Sequence, residues 1–180
     1  LTSPTMVCYD QVNSRALATG QSFTKSVNIA ANARTSPLRF SLVWTDPPGN
    51  PSVGVKLVND LDLVVSNNVT HEIFAGNSFG PGNTFTFGSD TNATNGLVLD
   101  RVNNVENVYV SASFNQRLSD SYTVTVSARR VNVNAVTAHP DGVVQDFALV
   151  ISHGNPRMAT GSPITVGNEP IIDAPLPEVT

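Results

Sequence analysis

The heptapeptide YTVTVSA, residues 122–128, carries the strongest structural signal in the sequence. Tyr122, Val124 and Val126 alternate with hydroxyl-bearing residues, so one face of an extended chain is apolar and the other polar. β-Branched side chains fit a pleated sheet better than a helix. The heptapeptide therefore predicts a strand that buries one face.

The same alternation recurs on either side of this strand. Phe40, Leu42 and Trp44 alternate with Ser41 and Val43 in the segment 40–45. Further predicted strands cover residues 23–30, 60–66, 72–75, 106–114 and 146–152, with a weaker one at 84–87. No stretch of a dozen residues has a convincing helical period, so the pattern indicates an all-β fold.

Turn-forming residues separate the predicted strands at intervals typical of a sandwich. The segment 46–51, DPPGNP, cannot continue a strand because proline lacks the amide donor. Residues 76–96 are rich in Gly, Asn and Thr and are predicted to form a long loop. Periodicity alone fits a jelly roll and an immunoglobulin-like sandwich, although the Cys-Trp-Cys framework of the latter is absent.

The 180 residues fit one domain. Prolines recur from residue 155 to the end, which is typical of a linker, and residues 1–18 have a similar though weaker character. We predict an N-terminal linker at 1–18, one β-domain at 19–154 and a Pro-rich C-terminal linker at 155–180.

Composition excludes several classes of partner. Charged residues make up 13% of the chain and the net charge is −4, so the basic footprint that nucleic acid or anionic lipid requires is missing. No apolar run is long enough for a spanning helix. Abundant Asn, Ser and Thr are common in secreted β-proteins, so we expect an extracellular protein. Cys8 is the only cysteine, which excludes an internal disulfide.

Four polar residues stand where strands should be apolar. Asp60 and Asp62 are two positions apart and share a strand face, and the same parity joins Asn104 to Glu106. Carboxylate and amide oxygens are the ligands that calcium selects, so one interpretation is a structural calcium site formed by these four residues. The other is a network at the strand ends in which these side chains cap loop amides.

A resemblance appears in these same segments. LVWTDP at 42–47, LVNDLDL at 57–63, NNVENV at 103–108 and DFALVI at 146–151 form an ordered series. The series resembles the β-jelly-roll domain that follows the catalytic domain in secreted bacterial subtilisin-like serine proteases (peptidase S8), a domain comparable in shape to the P-domain of proprotein convertases. The match covers about residues 21–153.

The resemblance implies an antiparallel jelly-roll sandwich of about eight strands. It also implies a non-catalytic accessory role, with a protease catalytic domain as partner in the same polypeptide and with structural calcium. The domain would stabilise the catalytic domain or help to position a protein or polysaccharide substrate.

The chain itself is not predicted to be an enzyme. A subtilisin-like triad needs Asp, His and Ser on separate segments, and no motif here matches. His71, His139 and His153 are the three histidines, and each is expected to be a surface residue at a strand edge or turn. GNSFG at 76–80 fits G-x-S-x-G, but Pro81 and Gly82 follow and prevent the helix that a catalytic Ser78 would need.

A rival interpretation from a different class is a carbohydrate-binding or adhesion module of a multidomain extracellular protein. Sugar binding requires exposed, coplanar aromatic rings, and aromatic residues make up only 7% of the chain. Trp44 shares a face with Phe40 and Leu42, which favours a core anchor over a sugar-stacking platform.

Overall fold

The computed structural model describes residues 6–55, 57–90, 97–112, 117–153, 164–167 and 171–172. Eleven β-strands lie in these ranges, and the helical residues among them form single 3₁₀ turns. The strands are β1 (Met6–Tyr9), β2 (Ser22–Ile29), β3 (Leu38–Val43), β4 (Asn59–Asn67), β5 (Glu72–Phe79), β6 (Thr86–Asp90), β7 (Val105–Val110), β8 (Ser121–Val131), β9 (Ala148–His153), β10 (Ile164–Val166) and β11 (Ile171–Ile172). No described helix has the length and apolarity of a membrane span.

Two antiparallel sheets form a β-sandwich. One has the order β1-β9-β3-β7, and the other has the order β10-β2-β8-β4-β5-β6, with β11 also paired to β2. The pairs β1–β9, β2–β8, β3–β7 and β4–β5 alternate between the sheets, which is the nested pairing of a jelly roll. The predicted fold class is confirmed: eight strands form the jelly roll, and β6, β10 and β11 are additions.

The core forms where the apolar faces of the two sheets meet. Tyr122, Val124 and Val126 are at most 1% exposed, as the alternation in β8 predicts. Full burial of one such side chain stabilises the fold by about 1.5–3 kcal/mol. Trp44 is 1% exposed and its indole N–H donates to the carbonyl oxygen of Asn59 at 3.0 Å, so Trp44 is a core anchor.

The sheets extend into both segments that the sequence assigned to linkers. β1 lies within residues 1–18 and pairs with β9, while β10 and β11 lie within residues 155–180 and pair with β2. Prolines limit these strands to a few residues but do not prevent pairing between the prolines. The domain limits at 19–154 stay a prediction, and strand pairing continues beyond them.

The predicted loop at residues 76–96 is wrong over part of its length. β5 continues to Phe79, and β6 returns beside it after a turn in which the amide of Asn83 donates to the Gly80 carbonyl. Ser78 therefore lies within a strand and not at the sharp turn of a nucleophile elbow. Residues 91–96 of the predicted loop lie outside the described residues.

Candidate functional site: a buried carboxylate cluster

Three carboxylates are buried within the described ranges of this sparsely charged chain. Asp60 and Asp62 on β4 are 2% and 1% exposed, and Glu106 on β7 is 1% exposed. Each aspartate interacts electrostatically with Glu106, which comes from the opposite sheet. We call these three residues the carboxylate cluster. Buried carboxylates are rare because taking a charge out of water is costly, so such a cluster needs a physical explanation.

Glu106 takes the place of a missing strand partner. β4 and β5 pair from Val64 onward, so the amide of Leu63 has no partner on β5. Glu106 Oε2 accepts that N–H at 2.6 Å. A Cβ atom at Gly76 would lie 2.2 Å from Glu106 Oε2, so only glycine leaves room for the carboxylate. Glu106 therefore caps the backbone at the point where the two strands diverge.

Asp62 is paired with a cation of the chain itself. The register between β4 and β8 shifts after Asp60, which faces Arg130, so that Arg129 is the extra residue of a bulge. Arg129 Nε donates to Asp62 Oδ2 at 2.9 Å. Arg130 donates from Nη2 to the Leu57 carbonyl. The bulge thus places two consecutive arginines beside the cluster.

Burial dominates the ionisation of the cluster. Burial raises the pKa of Glu106 to about 9, although the Leu63 amide partly offsets it. Burial also raises the pKa of Asp62 to about 6 against the opposing effect of Arg129. The pKa of Asp60 is raised by burial as well, despite the nearby guanidinium groups of Arg129 and Arg130. Glu106 is therefore largely protonated at neutral pH.

At least one oxygen of each carboxylate lacks a hydrogen-bond partner among the described residues. Asp60 Oδ1, Asp62 Oδ1 and Glu106 Oε1 are buried and accept no hydrogen bond. Unpartnered hard oxygens have the donor chemistry that calcium prefers. However, no three His, Cys, Asp or Glu side chains within the described ranges come close enough together to hold a metal ion. The donors fit calcium and their spacing does not form a cage, so calcium stays a prediction.

Asn104, the fourth predicted ligand, lies just before β7 begins. It is exposed, its side-chain Nδ2 donates to the Trp44 carbonyl at 2.9 Å, and its own carbonyl accepts the Trp44 amide. The shared parity with Glu106 does not give the two residues the same environment, because the strand that would impose it starts at Val105. Asn104 thus holds the end of β3 rather than contributing a buried oxygen.

A second polar network, which the sequence analysis missed, adjoins the cluster. Asp46 accepts the amides of Val58 and Asn59 at 3.0 and 2.7 Å. The side chain of Asn59 donates to Gln145 Oε1 and to the Val133 carbonyl, both at 2.7 Å. Asn59 and Gln145 are fully buried. The only signal for this network is the presence of polar residues inside otherwise apolar strand patterns.

Two of the three histidines are less exposed than expected: the side chain of His139 is 8% exposed, and His153 is buried. His153 is 5% exposed, and its Nε2 is bonded to the Ala33 carbonyl at 2.5 Å, so it is a buried residue and not a surface one. The reason is parity, because His153 follows Leu149 and Ile151 on the inward face of β9. His71 is exposed in the β4–β5 turn with φ of 63°, and His139 bonds the Asn13 carbonyl.

Comparison with known proteins finds a similarity to one segment of a much longer protein. No family model matches the chain. The chain is 37% identical over 102 residues to the serine protease/ABC transporter B family protein tagD of Dictyostelium discoideum, an alignment that covers 52% of this chain and 5% of that protein. The chain thus spans about a twentieth of the length of its relative. It is an all-β sandwich that is similar to one segment of a protein named as a serine protease.

Proposed function

We propose that this chain is a non-catalytic accessory domain of a secreted subtilisin-like serine protease. The observation that carries the proposal is the ordered series of motifs at 42–47, 57–63, 103–108 and 146–151 on strands with jelly-roll pairing. Similarity to a segment of a protein named as a serine protease supports it. The domain would stabilise the catalytic domain or help to position a substrate.

The contacts of the motif residues suit a structural role. Asp46 and Asn59 join loops to β4, while Glu106 caps the Leu63 amide. Each of these side chains forms hydrogen bonds within the fold. Structural calcium is part of the proposal: Asp60, Asp62 and Glu106 would supply the buried oxygens, and binding would have to draw them together.

The carbohydrate-binding alternative has less support. Trp44 is buried, and the rings of Phe79 and Tyr109 are tilted by 58° to one another. A flat sugar-stacking platform needs coplanar exposed rings, and these residues do not provide one.

The full reading frame and its product test the proposal. We expect a catalytic Asp/His/Ser domain in the same polypeptide, whose peptidase activity decays faster at elevated temperature in a Phe40→Ala variant. Phe40 is fully buried, and removing its ring costs about 3–5 kcal/mol of domain stability. Asn28→Ala, at an exposed position of β2, is the matched control. Absence of a peptidase domain, or equal decay rates for both variants, would contradict the proposal.

A further inference from the structure

A cavity of about 210 Å³ opens between the two sheets, beside the end of β4 and the start of β8. Its apolar lining includes Phe74, Leu118 and Tyr122, which are 6%, 4% and 1% exposed. Its polar lining includes Asn67, Thr86, Arg117 and Glu72. None of these residues belongs to the carboxylate cluster or to the motifs that carry the proposed function.

Asn67 presents a side-chain N–H donor at the cavity wall. Its Oδ1 accepts the amides of Val69 and Thr70 at 3.0 and 3.2 Å, which fixes the orientation of the carboxamide. Its Nδ2 donates no hydrogen bond to the described part of the chain, although Asn67 is only 5% exposed. The Nδ2 donor of this cavity-lining residue is therefore available to an acceptor placed in the cavity.

Two further hydrogen-bond donors, Thr86 and Arg117, line the same cavity. Thr86 is 7% exposed, and its Oγ1 accepts the Tyr109 amide at 2.9 Å, which leaves the hydroxyl proton available. Arg117 is exposed and forms no ion pair with any described residue. A guanidinium has the fork geometry that binds a carboxylate through two parallel bonds.

Glu72 supplies the complementary acceptor. Its Oε2 accepts the Thr70 hydroxyl at 2.8 Å, and the residue is otherwise exposed in the cavity wall. A simple anion would be repelled by this carboxylate. A ligand that carries an N–H donor beside its own carboxylate can bind both residues: its carboxylate accepts from Arg117, and its N–H donates to Glu72.

We propose that this cavity binds a carboxylate with an adjacent N–H donor, the chemistry of an α-amino acid, either free or as the last residue of a peptide. Arg117, Asn67 and Thr86 donate to the carboxylate, Glu72 accepts from the amine or amide, and the apolar lining contacts the side chain. A neutral sugar fits less well, because it would leave the guanidinium and the carboxylate without opposite charges.

Isothermal titration of the 180-residue chain tests this proposal with four probes. They are acetyl-trialanine with a free carboxylate, the same peptide as its C-terminal amide, free alanine and glucose. We expect the free-carboxylate peptide or alanine to bind, and whichever binds more tightly identifies the source of the ligand. The peptide amide should bind at least about tenfold more weakly than the free acid, because it loses the charge-assisted bonds.

Two variants locate the binding in the cavity. Arg117→Gln should raise the Kd about tenfold or more, whereas Arg39→Gln, at an exposed arginine of β3 outside the cavity lining, should leave it unchanged. Asn67→Asp keeps the acceptor for both turn amides but replaces the donor with a negative oxygen, so it should also abolish binding. Thermal melting of each variant shows whether the fold is intact.

Three outcomes would overturn the proposal. They are equal binding of the acid and the amide, binding of glucose alone, and no heat with any probe at tens of millimolar. Binding that survives Arg117→Gln in a folded protein would place the carboxylate elsewhere and would also refute it. None of these readouts depends on peptidase activity, so they are independent of the proposed accessory role.

Discussion

At the scale of single residues, the carboxylate of Glu106 lies so close to Gly76 that no side chain fits at position 76. The carboxylate replaces a strand as partner of the Leu63 amide, and the absence of a side chain at Gly76 makes room for it. One glycine thus determines whether an acidic residue can be accommodated between β4 and β5.

Gly76→Ala should lower the free energy of unfolding by about 2–4 kcal/mol, because the new methyl group overlaps Glu106 and displaces it from Leu63. Urea unfolding measures the change. Gly54→Ala, where nothing lies within 4 Å of the added Cβ, is the control and should cost little. Gly76→Ala should cost less free energy of unfolding in a Glu106→Ala background than in the unchanged chain, because the overlapping carboxylate is then absent. Equal costs in the two backgrounds would refute the overlap.

Glu106 should also make stability fall as the pH rises. Its pKa is about 9 in the folded state, above its ordinary value of 4.5, so the folded state holds the proton more tightly than the unfolded state. This contribution is fully present below pH 4.5 and is lost as the pH rises toward 9. The raised pKa of Asp62, about 6, acts in the same direction at lower pH.

Glu106→Gln keeps an acceptor for Leu63 and removes the titration. We compare the two proteins in EDTA between pH 6 and 9. The free energy of unfolding of Glu106→Gln minus that of the unchanged chain should increase with pH, by at most about 1.4 kcal/mol per pH unit. Urea titrations at several pH values measure the difference, and the exposed Glu72→Gln serves as the control. Parallel profiles for Glu106→Gln and the unchanged chain would contradict the raised pKa.

At the scale of secondary-structure elements, the bulge in β8 determines how the cluster is neutralised. It shifts the register after Asp60, so that Arg129 reaches Asp62 while Arg130 reaches the Leu57 carbonyl. Without the extra residue, the two arginines would alternate across the sheet like the residues before them.

Arg129→Met should destabilise the domain by about 2–3 kcal/mol, because it leaves the buried Asp62 without its partner. The Arg129 side chain is 30% exposed, so the loss of its own packing contributes less. Adding Asp62→Leu should restore much of the loss, because the unpaired buried carboxylate is then gone. Chemical denaturation of the single and double variants measures both effects. A double variant less stable than Arg129→Met would argue against the pair.

The elements also show how far sequence patterns extend. Alternation over seven residues located β8. The two-residue spacing of Asp60 and Asp62 placed both carboxylates on one strand. It missed β1, β10 and β11, because two to four residues contain too few repeats to define a period. Arg129 was missed for a related reason: a bulge breaks the alternation, and its position depends on the partner strand. Glu106 meets the aspartates through sheet packing, which no local pattern encodes.

At the scale of the whole molecule, the carboxylate cluster joins the two sheets. Asp60 and Asp62 lie on β4 of the larger sheet and Glu106 lies on β7 of the smaller one. An ion bound to all three would therefore connect the two halves of the sandwich, and its removal would be felt as a loss of global stability.

Calcium should raise the melting temperature by roughly 5–10 °C over EDTA, because a ligand at a hundredfold excess over its Kd stabilises the folded state by about 2.7 kcal/mol. Magnesium should do much less, since it requires small octahedral geometry. Thermal melts at pH 7 or above measure the response, and Asp62→Asn should weaken it. Identical curves in EDTA and calcium would leave the amide-capping network as the explanation of the cluster.

The pairing of β10 and β11 with β2 has a consequence for self-association. β2 contains eight residues, and it would be the outermost strand of its sheet if Ile164–Val166 and Ile171–Ile172 were absent. A long outermost strand presents unpaired amides and carbonyls on which another molecule can assemble a strand of its own. Truncation after His153 should therefore produce oligomers whose size, measured by light scattering, grows with protein concentration. We therefore expect β10 and β11 to protect β2 from pairing with other molecules. A truncated chain that stays monomeric would show that β2 is protected in another way.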